Sequence, residues 1–254
     1  VTLLITVDCG ITAVGEIAYA KEKGIDTIIT DHHECKDETP DAYCLLNPKQ
    51  PACPYPFKKL AGVGVAFKLL QALTIEMRFH MRELIEEYAD LVAIGTVADV
   101  MPLIGENRVI VKKGLELLSF TQNRGIRALA DAADINLSNV ATGTIGFMIA
   151  PRINAAGRMG DPRCAVELLL ATDDMTARKY AEKLNRENHE RQETEISILE
   201  DALNMIENSA ALQNDYVIVL AHDNWHHGII GIVASKISER FNKPCILIST
   251  DGEV

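Results

Sequence analysis

The chain has 254 residues, 48% of them hydrophobic and 24% charged, and a net charge of −11, which excludes a disordered chain and a basic module that coats nucleic acid by charge alone. No run reaches the roughly 18 consecutive apolar residues of a membrane helix, so no membrane is expected as a partner. An acidic balance still allows an enzyme whose carboxylates hold divalent cations, because bound cations reverse the local field.

The first residues, VTLLITVDCG, have no basic n-region and no small-residue cleavage site, so they do not read as a signal peptide. They read as a buried strand running from Leu3 to Asp8, and a chain that opens inside a strand is expected to be a fragment of a longer one. Cys9-Gly10 breaks the strand, and Val14, Ile17, Ala18 and Ala20 then recur at helical spacing up to Gly24, a natural C-cap. Ile25 to Thr30 is a second apolar run, ending at the stretch IITDHHE. Strand, helix and strand in about 30 residues make a βαβ crossover. Both runs are apolar on successive residues, as in parallel strands covered on both faces. Parallel neighbours bring their C-terminal ends to one edge, so Asp8 is expected to meet Asp31, His32 and His33 there, where open α/β sheets bind ligands.

A third run, Ala42 to Leu46, leads into a loop with Pro48, Pro51, Pro54 and Pro56. Helical periodicity follows over Leu60–Leu73, Arg82–Ile94, Arg108–Ser119, Gly125–Ala133, Thr142–Ile149 and Arg163–Ala171. Between the second and third of these lies AIGTVADVMPL, an apolar segment whose one charge is Asp99. Residues 173–208 contain no proline or glycine and predict one helix about 50 Å long, read as a connector between two lobes. A strand at Tyr216–Ala221, a helix at Ile229–Phe241 and a strand at Cys245–Ser249 then predict a second α/β unit that stops short of completion. The six cysteines form no CxxC pair, which removes a zinc knuckle and suits reduced thiols in the cytoplasm.

Asp8, His32 and Asp99 carry the oxygen and imidazole donors that Mn²⁺, Mg²⁺ or Zn²⁺ accept. Singly, each has a plainer reading as a helix cap or a hydrogen-bonded loop histidine. Together, two strand ends meet at one edge, and a further aspartate stands in a segment too apolar to tolerate an unpaired charge.

TVDCG, TDHHE and GTVADVMPL resemble successive motifs of the DHH phosphoesterase superfamily. GTVADVMPL with its downstream NRVIVKKGLELL resembles the RecJ branch of single-strand-specific exonucleases. PRINAAGRMGDP and WHHGIIGIVASKI match two further motifs of that branch in order. The resemblance implies an α/β protein: a parallel-sheet DHH catalytic domain with a helical insert over 1–172, a connector helix over 173–208 and a DHHA1-like nucleic-acid-binding domain over 209–254. It implies two divalent ions, Mn²⁺ or Mg²⁺, with Asp8 bridging them and His32 and Asp99 completing one shell. His33 would face the scissile phosphate, and Asp31 would fix an imidazole tautomer. Catalysis would rest on Asp8, His32, His33 and Asp99.

In the glycine- and alanine-rich PRINAAGRMG stretch, taken as one that lets backbone approach a ligand, Arg152, Asn154 and Arg158 would bind phosphate. Trp225 would stack a base while His226 and Gly228 present a helix N-terminus to the strand, and Gly231 would serve close packing. His80 and His189 read as solvated.

The implied activity is 5′-to-3′ hydrolysis of single-stranded DNA to 5′-mononucleotides in recombination and repair. Single-stranded DNA is the implied partner, with a single-strand-binding protein and a helicase as further candidates. Two other readings stand beside it: a DHH nano-RNase or nucleotide phosphatase, whose helical insert is usually more compact, and an inactivated DHH replication scaffold, which the four retained residues oppose. The family's Asp-x-Asp motif is not among the 254 residues, so the chain alone is expected to bind metal poorly and hydrolyse little.

Overall fold

β1 (Leu3–Val7), β2 (Asp26–Thr30) and β3 (Cys44–Leu46) form a parallel sheet in that order in the computed structural model, which describes residues 1–209, 212 and 215–250. The crossover between the first two strands is α1 (Val14–Glu22). It closes at Lys23 and Gly24, where the Gly24 and Ile25 amides reach back to the carbonyls of Lys21 and Ala20 and Gly24 takes φ +70°. Val7 pairs with Thr30, so Asp8 and Asp31 are each the first residue beyond their strand. The Asp8 amide donates to Thr30 O at 2.9 Å and the Asp31 amide to Leu46 O at 3.0 Å, which extends the ladder one step into the site. β2 is mostly buried, as its apolar run predicts. β1 is not: Leu3, Leu4, Ile5 and Val7 are exposed, because among the described residues β1 pairs with β2 alone.

Residues Val1–Gln122 and Ile135–Ala150 make one unit of the chain, and Asn123–Asp134 and Pro151–Val254 the other. In the first unit α2 (Gly62–Glu76) packs on β1, β2 and α3 (Met81–Ala98), and α3 lies along α4 (Gly105–Leu118). Ile29, Leu60, Val65, Phe67, Val92 and Leu118 are among its buried apolar side chains. The chain leaves this unit for α5 (Arg124–Ala132) and returns through a 3₁₀ turn at Leu137–Asn139 and α6 (Thr142–Thr144). The helix expected over Thr142–Ile149 holds one π-helical turn, Ile145–Ile149, whose buried Ile145 and Ile149 belong to a turn packed on α3.

The second unit comprises α5, α7 (Ala150–Met159), α8 (Arg163–Leu169), α9 (Asp174–Glu207), β4 (Ile218–His222), α10 (His227–Phe241) and β5 (Cys245–Ser249). β4 and β5 are parallel, with α10 as their crossover. The division differs from a boundary at 172, because α5 joins α8 and α9. Asn123 caps α5 by accepting from the Ile126 amide and donates its own amide to Leu169 O at 3.0 Å. The helix expected at 173–208 forms as α9, capped where Asp173 accepts from the Thr176 amide at 2.8 Å. Within its unit it packs α5, α8 and α10 along its length. Its Ile198, Ala202 and Ile206 join Ile218 and Leu220 of β4, Ile229, Val233 and Ile237 of α10, and Leu247 of β5 in one core. Among the described residues, no helix is long and apolar enough to cross a membrane, and all six cysteines are free.

Candidate metal centre

The ends of β1, β2 and α3 bring their carboxylates and imidazoles together within the first unit. His32 is 6% exposed, and its Nε2 stands 3.0 Å from Asp8 Oδ1 and 3.4 Å from Asp99 Oδ2. Neither approach has hydrogen-bond geometry, and both ring nitrogens of His32 are without a hydrogen-bond partner among the described residues. An imidazole buried this way carries a desolvation cost that something must offset. Burial raises the Asp8 carboxyl above its ordinary range; His32 works against that, and the nearby Asp99 carboxylate reinforces it. A cation between these groups would relieve the repulsion and use the orphaned nitrogen at once, so the donor set fits a hard divalent ion. Donor atoms of Asp8, His32 and His33 all lie within 4.8 Å of one another.

Two helix and strand endings set these positions. Asp8 leaves β1 in the left-handed region at φ +61°, and it does not cap α1, whose N-cap is Ala13. Asp99 is the C-cap of α3, and Val100 follows at φ +54° while the Val100 and Met101 amides donate to Val97 O and Thr96 O. This is the turn that ends α1, built with valine where α1 has glycine.

Asp31 lies beneath the cluster. Oδ2 accepts from the Ile11 amide at 2.9 Å, and Oδ1 accepts from the His32 amide at 2.7 Å and meets His33 Nδ1 at 2.7 Å. Burial by itself raises the Asp31 carboxyl, but the Ile11 amide, the His33 ring and the amides of His33 and His32 outweigh it and hold it below the ordinary carboxylate range. An ionised carboxylate only accepts, so the hydrogen of this contact is carried by His33 Nδ1.

Arg152, Asn154, Arg158, Trp225, His226 and Gly228 all belong to the second unit. PRINAAGRMG is not a ligand-cradling loop: its first nine residues lie in α7, with Ala155 and Ala156 fully buried. Arg152 Nε donates to Asn185 Oδ1 at 2.8 Å, and burial, with the adjacent Arg191, lowers its pKa. Asn154 and Arg158 are exposed, and Arg158 Nη1 donates to Gly228 O at 3.0 Å. Trp225 corrects the expectation of a base-stacking aromatic. It is 1% exposed, stacks on His222 with ring centres 5.6 Å apart, and fills the core. His226 is the N-cap of α10, its Nδ1 accepting from the Gly228 amide at 3.1 Å. A Cβ on Gly228 would stand 2.5 Å from Arg158 O, whereas one on Gly231 would meet nothing, so Gly228 is the packing glycine. His80 and His189 are exposed.

Sequence reasoning passed over Asp90, buried and accepting from Thr121 Oγ1 at 2.5 Å, and Gly62, which lies against Asp8. The paired glycines in LAGVGVAF, opening an otherwise good helix, were the available signal for Gly62.

Residues 2–96 match the family described as the DHH family, N-terminal domain. A protein of Bacillus subtilis named single-stranded-DNA-specific exonuclease RecJ is 44% identical over 252 residues, which cover 99% of this chain and 31% of that protein. A crystal structure of exonuclease RecJ bound to manganese superposes with a TM-score of 0.88 and 38% identity, covering 99% of this chain and 61% of that one. The RecJ of Thermus thermophilus solved with Mn²⁺ gives a TM-score of 0.86 at 37% identity, covering 98% of this chain and 36% of that one. The same protein solved with Mg²⁺ gives 0.77 at 35%, covering 98% and 35%. The chain thus spans about a third of the Bacillus relative's length.

Proposed function

Since the chain belongs to the DHH family, in its RecJ branch, we propose that it is the part of a metal-dependent exonuclease that holds the metal and carries part of the strand-binding surface, acting on single-stranded DNA. The observation that carries this reading is His32, buried, its ring nitrogens making no hydrogen bond among the described residues and Nε2 facing two carboxylates. Asp8, His32 and Asp99 would hold Mn²⁺ or Mg²⁺, with Asp8 shared between two ions. Bound there, the metal supplies Lewis-acid charge and an activated water for in-line attack on a phosphodiester. His33, its Nδ1–H held by Asp31, belongs to the same cluster and is suited to orienting the phosphate. Arg152, Asn154, Arg158, His226 and Gly228 are assigned to the strand-binding unit, with the exposed Asn154 and Arg158 as its phosphate contacts. Polarity is 5′ to 3′, releasing 5′-mononucleotides. The six free thiols fit the reducing cytoplasm, and a single-strand-binding protein and a helicase belong to the same proposal as suppliers of strand.

The test has two parts. Calorimetric titration should detect weak Mn²⁺ binding to the chain alone, tighter binding once an Asp-x-Asp strand is added, and loss of both in Asp8→Asn. The chain extended by a strand bearing an Asp-x-Asp motif should degrade a 3′-labelled single strand from its 5′ end and spare duplex. Cleavage of only di- to pentanucleotides would move the assignment to the nano-RNase class. Metal binding without any hydrolysis would favour the scaffold.

A further inference from the structure

The first turn of α2 touches the supports of both carboxylates. A Cβ built on Gly62 would stand 2.0 Å from Asp8 Oδ1, 2.4 Å from its Cγ and 2.5 Å from its Cβ. Turning Asp8 about χ1 moves the first two atoms and leaves the third where the backbone puts it. That backbone is held at φ +61° and hydrogen-bonded to Thr30 O at 2.9 Å. One residue further along the turn, Val63 sits on Gly95 of α3, where a Cβ would be 2.8 Å from Val63 Cγ1 and 3.2 Å from its Cβ. Gly95 in turn accepts the Asp99 amide at 3.0 Å. Neither glycine has a positive φ, so what each supplies is space. Glycine inside a helix costs about 0.5–1 kcal/mol relative to alanine, a cost these two positions retain.

We propose that Gly62 and Gly95 are positioning residues: the first turn of α2, wedged between the strand end bearing Asp8 and the helix end bearing Asp99, sets the separation of the two carboxylates across His32 and thereby the metal affinity of the site. The proposal rests on the metal reading above. A side chain at Gly62 displaces Asp8 directly. One at Gly95 pushes Val63, and with it the same turn, by less.

The test compares Gly62→Ala, Gly95→Ala and, as control, Gly15→Ala in α1, where nothing lies within 4 Å. Three quantities are read: Mn²⁺ affinity by calorimetry, metal-free melting temperature, and the Asp8–His32 distance in crystals of wild type and variants. Gly62→Ala should weaken Mn²⁺ binding by about 10- to 100-fold. Gly95→Ala should weaken it less, and Gly15→Ala should leave it unchanged. In Gly62→Ala the Asp8 Oδ1–His32 Nε2 approach should lengthen beyond 3.0 Å while the Asp31–His33 contact stays at 2.7 Å. Wild-type affinity in both Gly62→Ala and Gly95→Ala, or a Gly62→Ala crystal that keeps the wild-type Asp8–His32 distance, overturns the proposal. If Gly62→Ala does not fold, Gly95→Ala decides on the same two measurements. A wild-type chain that takes up no Mn²⁺ removes the metal reading, and the crystallographic distances still decide the positioning.

Discussion

His33 Nδ1 donates to Asp31 Oδ1 across 2.7 Å, and the same carboxylate ties down the Ile11 amide on its other oxygen. One buried charge therefore orients the ring beside the candidate metal centre and the loop that follows Asp8. Asp31→Asn keeps one acceptor oxygen but loses the charge and the other acceptor, so it cannot hold both the His33 ring and the Ile11 amide. We expect ¹⁵N imidazole shifts to change His33 from the Nδ1–H tautomer to a mixture, and Mn²⁺ affinity to fall by about 10- to 100-fold. An unchanged His33 tautomer in Asp31→Asn would mean that another group sets it.

Asp8→Asn keeps the shape and the tolerance for φ +61° but removes the charge. In the chain extended by an Asp-x-Asp strand it should reduce hydrolysis to background with little change in melting temperature, since the Asp8 side chain is half exposed. Retention of more than about a tenth of the rate, under about 1.4 kcal/mol of barrier, contradicts a shared ligand.

Trp225→Ala should act on stability. Removing a fully buried indole from a core that includes Ile229, Val233 and Leu247 should cost about 3–5 kcal/mol. Melting should fall by on the order of 10 °C. A variant that melts like wild type but binds single strands poorly would return Trp225 to the binding surface.

What the sequence made legible was set by short-range rules. Parallel pairing alone places Asp8 beside Asp31, and the register Val7 with Thr30 does so. The unbroken polar run from Asp173 gives α9, and Cys245–Ser249 is a strand as its apolar run predicts. What escaped depends on contacts distant in sequence. No local pattern says that α5 packs with α8 and α9 through Asn123, or that Trp225 faces inward while its neighbour His226 caps a helix. The left-handed Val100 is equally silent, because a β-branched residue does not announce a positive φ, and the tolerance of aspartate for that region does not by itself single out Asp8.

The buried seam of the second unit should make stability depend on pH. Glu195 pairs with Arg191 on its own helix and with Lys236 of α10. Burial by itself raises its carboxyl, but the hydrogen bonds and charges of Lys236 and Arg191 outweigh it and hold it below the ordinary range. A depressed folded pKa stabilises above the unfolded pKa, and that contribution is lost as pH falls through the folded value. Glu195→Gln should therefore be less stable than wild type by roughly 2–4 kcal/mol at pH 7, with the gap closing in acid. Denaturant unfolding from pH 7 to 3 measures it. A gap that stays constant with pH would show that the loss is one of packing.

Val100 carries a strain that can be removed. It is 87% exposed, so its side chain gains little from packing, yet it holds φ +54° at the position where α1 uses Gly24 at φ +70°. A β-branched residue there costs about 1–2 kcal/mol, and glycine's extra unfolded-state entropy offsets up to about 1 kcal/mol of the relief. Val100→Gly should then raise stability by about 0.5–1 kcal/mol, with Val100→Asn between the two because asparagine tolerates this region. The amides of residues 100 and 101 keep their bonds to Val97 and Thr96, so Asp99 stays where it is and Mn²⁺ affinity should not change. The measurement is thermal and denaturant unfolding of the three proteins without metal, followed by Mn²⁺ titration. A less stable Val100→Gly would show that the isopropyl group makes contacts worth more than the strain, and a weaker metal site at equal stability would show that the valine itself holds Asp99 in place.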